Sequence, residues 1–224
     1  MKEQILQSIR NLGIDIVKMK HPFKEQKKFV PDAKVIIDVG ANVGNYSIKY
    51  AKNYPNAMIW AFEPCEKTYD KLCENIYMYK NILSCKIGLG SKQQTAILNE
   101  YLSSGDNSIL YNKNEKFQKR QRIGIIRLDD FLEGRNDMQK IDILKIDVQG
   151  YEMEVLKGAI ETLKHTKLIF IEGQFNRQYE KAATCFDIGK FLFKYGFRCK
   201  SMLNVNYKNG ELTHADFIFI NEQK

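Results

Sequence analysis

The chain has 224 residues, of which 44% are hydrophobic, 12% aromatic and 28% charged. That is enough for one well-filled α/β domain, leaves little for a second, and excludes a disordered chain. The net charge of +8 favours anionic partners in general, but the basic residues are spread out. The one modest cluster, Lys113, Lys116, Lys119, Arg120 and Arg122, reads as a solvated surface.

In chain order, residues 1–33 read as an N-terminal helical extension. Ile5, Ile9 and Leu12 share one side of an amphipathic helix over 1–20, which His21-Pro22 should end because a residue before proline avoids the helical region. This segment lacks the unbroken apolar stretch of a secretory signal, and no run in the chain is long and apolar enough to span a bilayer, so the expected compartment is the cytoplasm. The five cysteines form no C-x-x-C pair and no metal-ligand spacing with histidine, and are expected to be free thiols.

Residues 34–224 read as the main domain. Lys34-Val35-Ile36-Ile37-Asp38 is a buried strand entering a glycine turn, followed by a helix over 46–53. Met58-Ile59-Trp60-Ala61-Phe62 is a second strand, closing on Glu63-Pro64. The next helix carries Tyr69, Leu72, Cys73 and Ile76 on one stripe. Residues 82–89 form a third strand, and 95–102 and 122–128 two more, joined by a polar segment over 103–119. Residues 141–147 are a central strand, 152–163 a helix, and 168–172 a strand. A helix through Ile188, Phe191 and Leu192 follows, with closing strands over 197–202 and 216–220. Such alternation predicts a mostly parallel sheet with helices on both faces, which binds ligands at the carboxyl ends of its strands. Those ends carry Asp38, Glu63, the segment 88–90, Asp147 and Glu172.

The loop Asp38-Val39-Gly40-Ala41-Asn42-Val43-Gly44 is not the dinucleotide fingerprint G-x-G-x-x-G, which argues against a nicotinamide-dependent reductase. Gly40 frees the backbone to turn out of the strand, Gly44 lets the next helix pack closely or a ligand approach, and Asn42 tolerates a left-handed position. Asp38 suits a cationic, amino-acid-like head better than a pyrophosphate. Glu63, at the end of the neighbouring strand, is placed to accept hydrogen bonds from ribose hydroxyls.

Three segments carry a family resemblance: Ile37-Asp38-Val39-Gly40-Ala41-Asn42-Val43-Gly44, Ala61-Phe62-Glu63-Pro64, and Leu144-Lys145-Ile146-Asp147-Val148-Gln149-Gly150-Tyr151-Glu152. With Val155-Leu156-Lys157-Gly158-Ala159 and the strand ending at Glu172, the sequence resembles the FkbM-type methyltransferases. The resemblance implies a Rossmann-like class I methyltransferase fold with a seven-stranded, mostly parallel sheet. It implies S-adenosylmethionine as cofactor, held by Asp38, Gly40, Ala41, Asn42, Gly44, Glu63 and Pro64, and transfer to a hydroxyl of a sugar, glycan or secondary metabolite. Gln149 departs from the pattern, which commonly has Glu there.

For transfer to a hydroxyl, a general base helps. Asp147, at the end of the central strand, is the first candidate for base or acceptor-orienting residue. Lys145 lies on the same face of the strand and should pair with it. Glu152 suits a capping role in the first turn of its helix. Asp147 and Glu172, the third catalytic candidate, could together hold Mg²⁺. His214 could line the acceptor side, and residues 105–108 could cover the site. The expected partner is a small-molecule or glycan acceptor, and a homodimer is one assembly the sequence allows. The net charge leaves an RNA methyltransferase as the alternative, yet Asp147-Val148-Gln149-Gly150 is not the Asn/Asp-Pro-Pro-aromatic run of exocyclic-amine methylation, and no RNA-binding module is visible. A cofactor-binding scaffold without catalysis is the other alternative.

Overall fold

A computed structural model describes residues 21–113, 115–135 and 140–222. The expected helix over 1–20 lies outside the described residues. Helix α1, Pro22–Phe29, falls within the expected helical extension, although no separate helix was placed after His21. Pro22 opens this helix, because its fixed φ suits the first helical position and its missing N–H is an orphan there anyway. Phe23, Val30 and Ala33 are buried in the core, and Tyr50 Oη donates to Gln26 Oε1 at 3.0 Å. The described part of the expected extension is therefore built into the domain.

The main-sheet strands are β1 (Val35–Val39), β2 (Met58–Phe62), β3 (Ile82–Cys85), β7 (Ile141–Ile146), β8 (Thr166–Gln174), β9 (Phe197–Leu203) and β12 (His214–Asn221), ordered β3-β2-β1-β7-β8-β12-β9 in one seven-stranded sheet, while β10 (Tyr207–Lys208) and β11 (Glu211–Leu212) pair as a short hairpin between β9 and β12. All run parallel except β12, which is antiparallel to both neighbours. Successive residues of the central strands are apolar, so both faces need cover. Ile36, Ile143 and Leu168 pack with α1, α2 (Asn45–Asn53) and α3 (Glu66–Ile76) on one side. Ile37, Leu144 and Ile169 pack with α5 (Glu152–Lys157), α6 (Ile160–Lys164) and α7 (Cys185–Lys194) on the other.

Three details differ from the sequence expectation. The third strand stops at Cys85, and Gly88–Leu89 (β4) joins Gln94–Glu100 (β5) and Lys119–Ile126 (β6) in a separate three-stranded sheet. A short helix, α4 (Leu128–Leu132), follows β6. The single helix expected over 152–163 breaks at Gly158, which is pressed so closely on Gly90 that a Cβ there would lie 1.9 Å from the Gly90 carbonyl oxygen. Among the described residues no disulfide forms, and no helix is long and apolar enough to cross a membrane.

Candidate functional site

Parallel register places Asp38 of β1 directly beside Lys145 of β7. Side-chain alternation puts both on the face covered by α2, together with Glu63, Asp147, Glu172 and Asp216, which occupy the same parity at or near their strand ends. One end of one sheet face thus gathers five carboxylates around a single buried ammonium.

Lys145 is 3% exposed. Its Nζ lies 3.0 Å from Asp38 Oδ1 and 3.7 Å from Asp147 Oδ2, donates to the Gly40 carbonyl at 3.0 Å, and sits 5.2 Å from the Tyr46 ring centre. Burial alone would pull its pKa down, but Asp38 and Asp147 outweigh burial and hold it above the ordinary lysine range. The expected pairing with Asp147 is present, and the pairing with Asp38 is tighter. Asp38 itself is fully buried, and its other oxygen accepts from Ser47 Oγ at 2.6 Å. Both of its oxygens face protein groups, so it shapes the loop from beneath, where the sequence reading had it face a ligand.

The loop that follows closes a cleft of about 680 Å³, counted out to its open mouth. Gly40, Asn42, Glu63, Pro64 and Asp147 line it, with Phe62, Ile87, Leu89 and Leu98 as an apolar wall. Asp38, Ala41, Gly44, Lys145 and Glu172 do not line it. Gly40 has φ +75°, and a Cβ there would meet the Asp147 carbonyl oxygen at 1.9 Å. Asn42 adopts φ 50°, the left-handed position its residue type tolerates. Gly44, the residue before α2, has φ +88° and leaves room for Leu72, which a Cβ would approach to 2.7 Å. Ala41 is buried in the core and donates its N–H to the Phe62 carbonyl at 2.9 Å. Glu63 is fixed by three donors: Asn42 N (2.9 Å), Cys65 N (2.9 Å) and Thr68 Oγ (2.8 Å). Burial raises its pKa, and these three hydrogen bonds oppose the rise. Ser104, Gly105, Asn107 and Ser108 line the opposite side of the cleft, and Ser104 Oγ donates to Asn42 Oδ1 at 3.1 Å. The polar segment therefore does cover the site.

At the edge of the cleft, which Gln149 also lines, Asp147 Oδ1 accepts from Gln149 Nε2 at 2.8 Å, and the same amide nitrogen lies 3.2 Å from Glu172 Oε2. The space between the two carboxylates that the sequence reading offered to Mg²⁺ is bridged by this neutral amide. Among the described residues no group of three or more His, Cys, Asp or Glu side chains is arranged to hold a metal. Glu152 is buried, and its Oε1 accepts from Val148 N (3.1 Å) and Gly150 N (3.0 Å), tying the 148–150 turn to α5 as a capping acid. His214 Nε2 lies 3.9 Å from Glu172 Oε1. Sequence reasoning missed Tyr46, Ser47, Tyr179 and Asp216. Asp216 had a signal, as a carboxylate between the apolar residues Ala215 and Phe217; Tyr179, in an irregular loop, had none.

The cluster has a consequence for stability. Burial, with nearby carboxylates, raises Glu172 well above the usual range, raises Glu152 to about 7 and raises Asp216 to about 6. The folded chain binds these protons more tightly than the unfolded one, so stability falls as pH rises from the ordinary carboxylate range through about 7. His214, lowered by burial, acts in the opposite sense below about 6.5, but three carboxyls outweigh one imidazole. Melting followed by circular dichroism should give a higher Tm at pH 6 than at pH 8, reflecting a stability difference on the order of 1–3 kcal/mol. A Tm that rises over that interval would contradict the cluster.

The comparisons agree with this architecture. Residues 38–199 match the methyltransferase FkbM domain. Over 170 residues the chain is 31% identical to methyltransferase sdnD of Sordaria araneosa, covering 62% of this chain and 65% of that protein. It is 26% identical over 203 residues to 2-O-methyltransferase NoeI of Sinorhizobium fredii, covering 80% and 83%. The chain spans 59% and 65% of the lengths of two of the curated relatives it matches. The M. capricolum TrmK structure, solved with S-adenosylhomocysteine, superposes with a TM-score of 0.52 at 11% identity over 91% of this chain and 69% of that one, which shows the fold. With a family match that runs from the first strand's carboxylate to the penultimate strand of the seven-stranded sheet, this chain belongs to the FkbM methyltransferase family.

Proposed function

We propose that this chain is an S-adenosylmethionine-dependent O-methyltransferase acting on a hydroxyl of a sugar, glycan or secondary metabolite, and that residues 34–224, with the segment 22–33 packed into their core, form the transferring unit. The observation that carries the reading is the position of Asp147. It is the one carboxylate of the cluster that lines the cleft beside Gly40 and also contacts Gln149, which lines the cleft too and links it to Glu172 behind. The name of the relative NoeI, a 2-O-methyltransferase, supports the same reaction class.

The residues present fit the cofactor. The bare Gly40 backbone makes a cradle that any Cβ would fill, the apolar wall suits a flat base, and Glu63 is already oriented by three donors for ribose hydroxyls. The excess of carboxylates suits a cationic ligand. When bound, S-adenosylmethionine supplies a methyl group already activated on a positively charged sulfur. The chain's own task is then alignment and proton removal. Lys145 fixes the Gly40 carbonyl and Asp38 below the loop and steadies Asp147. Asp147 takes the proton of the acceptor hydroxyl, or orients that hydroxyl for attack. The acceptor approaches along a groove lined by Asn176, Gln178, Tyr207 and His214, where amides and an exposed tyrosine ring offer hydrogen bonds and a stacking face to a polyhydroxylated molecule.

The test pairs two measurements. S-adenosylhomocysteine should bind with micromolar affinity by calorimetry, and a panel of glycosides and hydroxylated metabolites incubated with S-adenosylmethionine should yield a singly O-methylated product by mass spectrometry. Binding without any methylated product across the panel would favour the scaffold alternative. No binding at all would sink the cofactor assignment.

A further inference from the structure

Gln149 sits where a charge balance is needed. Two carboxylates that both reach one atom ordinarily share a proton or take a cation between them. Here a single side-chain nitrogen faces both, 2.8 Å from Asp147 Oδ1 and 3.2 Å from Glu172 Oε2. An amide nitrogen has two N–H donors, one for each. The orientation of the amide is fixed on its other side, because Tyr179 Oη lies 3.1 Å from Gln149 Oε1. A flipped amide would aim its oxygen at two carboxylates, which repel it. Tyr179 is itself fully buried, and its ring packs against Gly150, where a Cβ would approach the ring to 3.1 Å. Gln149 adopts φ 53°, a strained backbone for a residue of this type. The backbone and the tyrosine together hold the amide in place.

We propose that Gln149 is a positioning residue that stands in for a cation between Asp147 and Glu172, holding each carboxylate by one oxygen and leaving Asp147 Oδ2, which Lys145 faces at 3.7 Å, for the acceptor hydroxyl. The inference rests on the proposed role of Asp147 as base or orienting group, but its geometry concerns this chain alone. It gives Gln149 a use that the usual Glu could not serve. A third carboxylate at 149 would add negative charge to a cluster that Lys145, Glu152, Asp216, His214 and Tyr46 already surround, and would leave a three-acid set fit for a divalent cation.

The test needs no acceptor. In protein labelled with ¹³C at the Asp and Glu carboxyls, Asp147 and Glu172 are titrated by NMR in the full chain and in Gln149→Leu. Loss of the bridge should let the pair share a proton, so one of the two carboxyls should titrate at least about one pH unit higher, a tenfold gain in proton affinity. In parallel, Mn²⁺ is titrated by electron paramagnetic resonance. The unsubstituted chain should leave Mn²⁺ free, Gln149→Glu should bind it, and adding Asp147→Asn to Gln149→Glu should abolish that binding. Tyr179→Phe, which frees the amide without removing it, should move the carboxyl titration in the same direction as Gln149→Leu by a smaller amount and serves if the Gln149 variants do not fold. Unchanged carboxyl titrations in Gln149→Leu, or tight Mn²⁺ binding by the unsubstituted chain, would overturn the proposal, as would the absence of binding by Gln149→Glu. S-adenosylhomocysteine affinity measured on the same samples separates this outcome from failure of the cofactor reading, since the carboxyl titration stands whether or not the nucleoside binds.

Discussion

Gly40→Val should eliminate S-adenosylhomocysteine binding, with affinity weakened by at least about 100-fold, or about 2.7 kcal/mol. Two effects combine at this position. The left-handed backbone, φ +75°, costs a non-glycine residue about 1–2 kcal/mol and a β-branched one more. The larger effect is contact: a Cβ would stand 1.9 Å from the carbonyl oxygen of Asp147 and 3.2 Å from Val148 Cγ1. Backbone cannot rotate away as a flexible side chain can, so the turns after β1 and β7 must separate. That separation takes the Gly40 carbonyl from Lys145 and shifts Asp147, so the floor of the cleft and the candidate base move together.

The chain contains its own control for the backbone part of this cost. Gly134 has φ +76° with nothing within 4 Å of its Cβ position. Gly134→Val therefore carries the same conformational strain without the collision. It should lower Tm by a few degrees and leave nucleoside affinity unchanged. Calorimetry on both variants separates the effects. Equal affinities in the Gly40 and Gly134 variants would remove the loop from the cofactor site.

The same residue shows why the fold was more legible than the site. The strands that carry Gly40 and Asp147 are short apolar runs with turn residues at their ends, and that pattern is local, so strand identity and alternation could be read directly. The carboxylates at the strand ends were legible for the same reason. Their partners were not. Asp38 looked like a ligand-facing acid because its sequence neighbours say nothing about Lys145, more than a hundred positions away and beside it only through sheet register. Ser47 and Tyr46 reach the cluster because α2 folds back over that face, and Asp216 because β12 inserts between β8 and β9. The second sheet was not legible for a related reason: β5 and β6 alternate like any strands, and nothing local says which sheet they join. The start of helix α1 was missed by applying one rule for proline, its effect on the preceding residue, and not the other, its fitness to start a helix. Gln149 was visible as a departure from the family pattern, yet its meaning lies in distances to Glu172 and Tyr179 that the sequence does not contain.

Asp147→Asn should separate binding from chemistry. The substitution is nearly isosteric, and its amide oxygen can still accept from Gln149, so the turn after β7 should keep its shape. Lys145 retains Asp38 at 3.0 Å and the Gly40 carbonyl at 3.0 Å, whereas its distance to Asp147 is already 3.7 Å. The floor of the cleft therefore does not depend on the Asp147 charge, and S-adenosylhomocysteine affinity should change by no more than about threefold, under 1 kcal/mol. Turnover on the acceptor found by the panel should fall by about 10²–10⁴, the contribution of a positioned general base. The loss should appear in kcat with little change in KM for the cofactor, because the missing interaction is made as the hydroxyl proton leaves and not when the nucleoside docks. Asp38→Asn gives the opposite pattern. It removes the closer charge from a fully buried lysine, so it should lower Tm and cofactor affinity together. If Asp147→Asn instead weakened cofactor binding as much as it slowed transfer, Asp147 would belong with Asp38 as part of the scaffold under the loop. An unchanged rate would leave the acceptor hydroxyl to be deprotonated by another group, and His214, on the groove side of Glu172, would be the next residue to substitute.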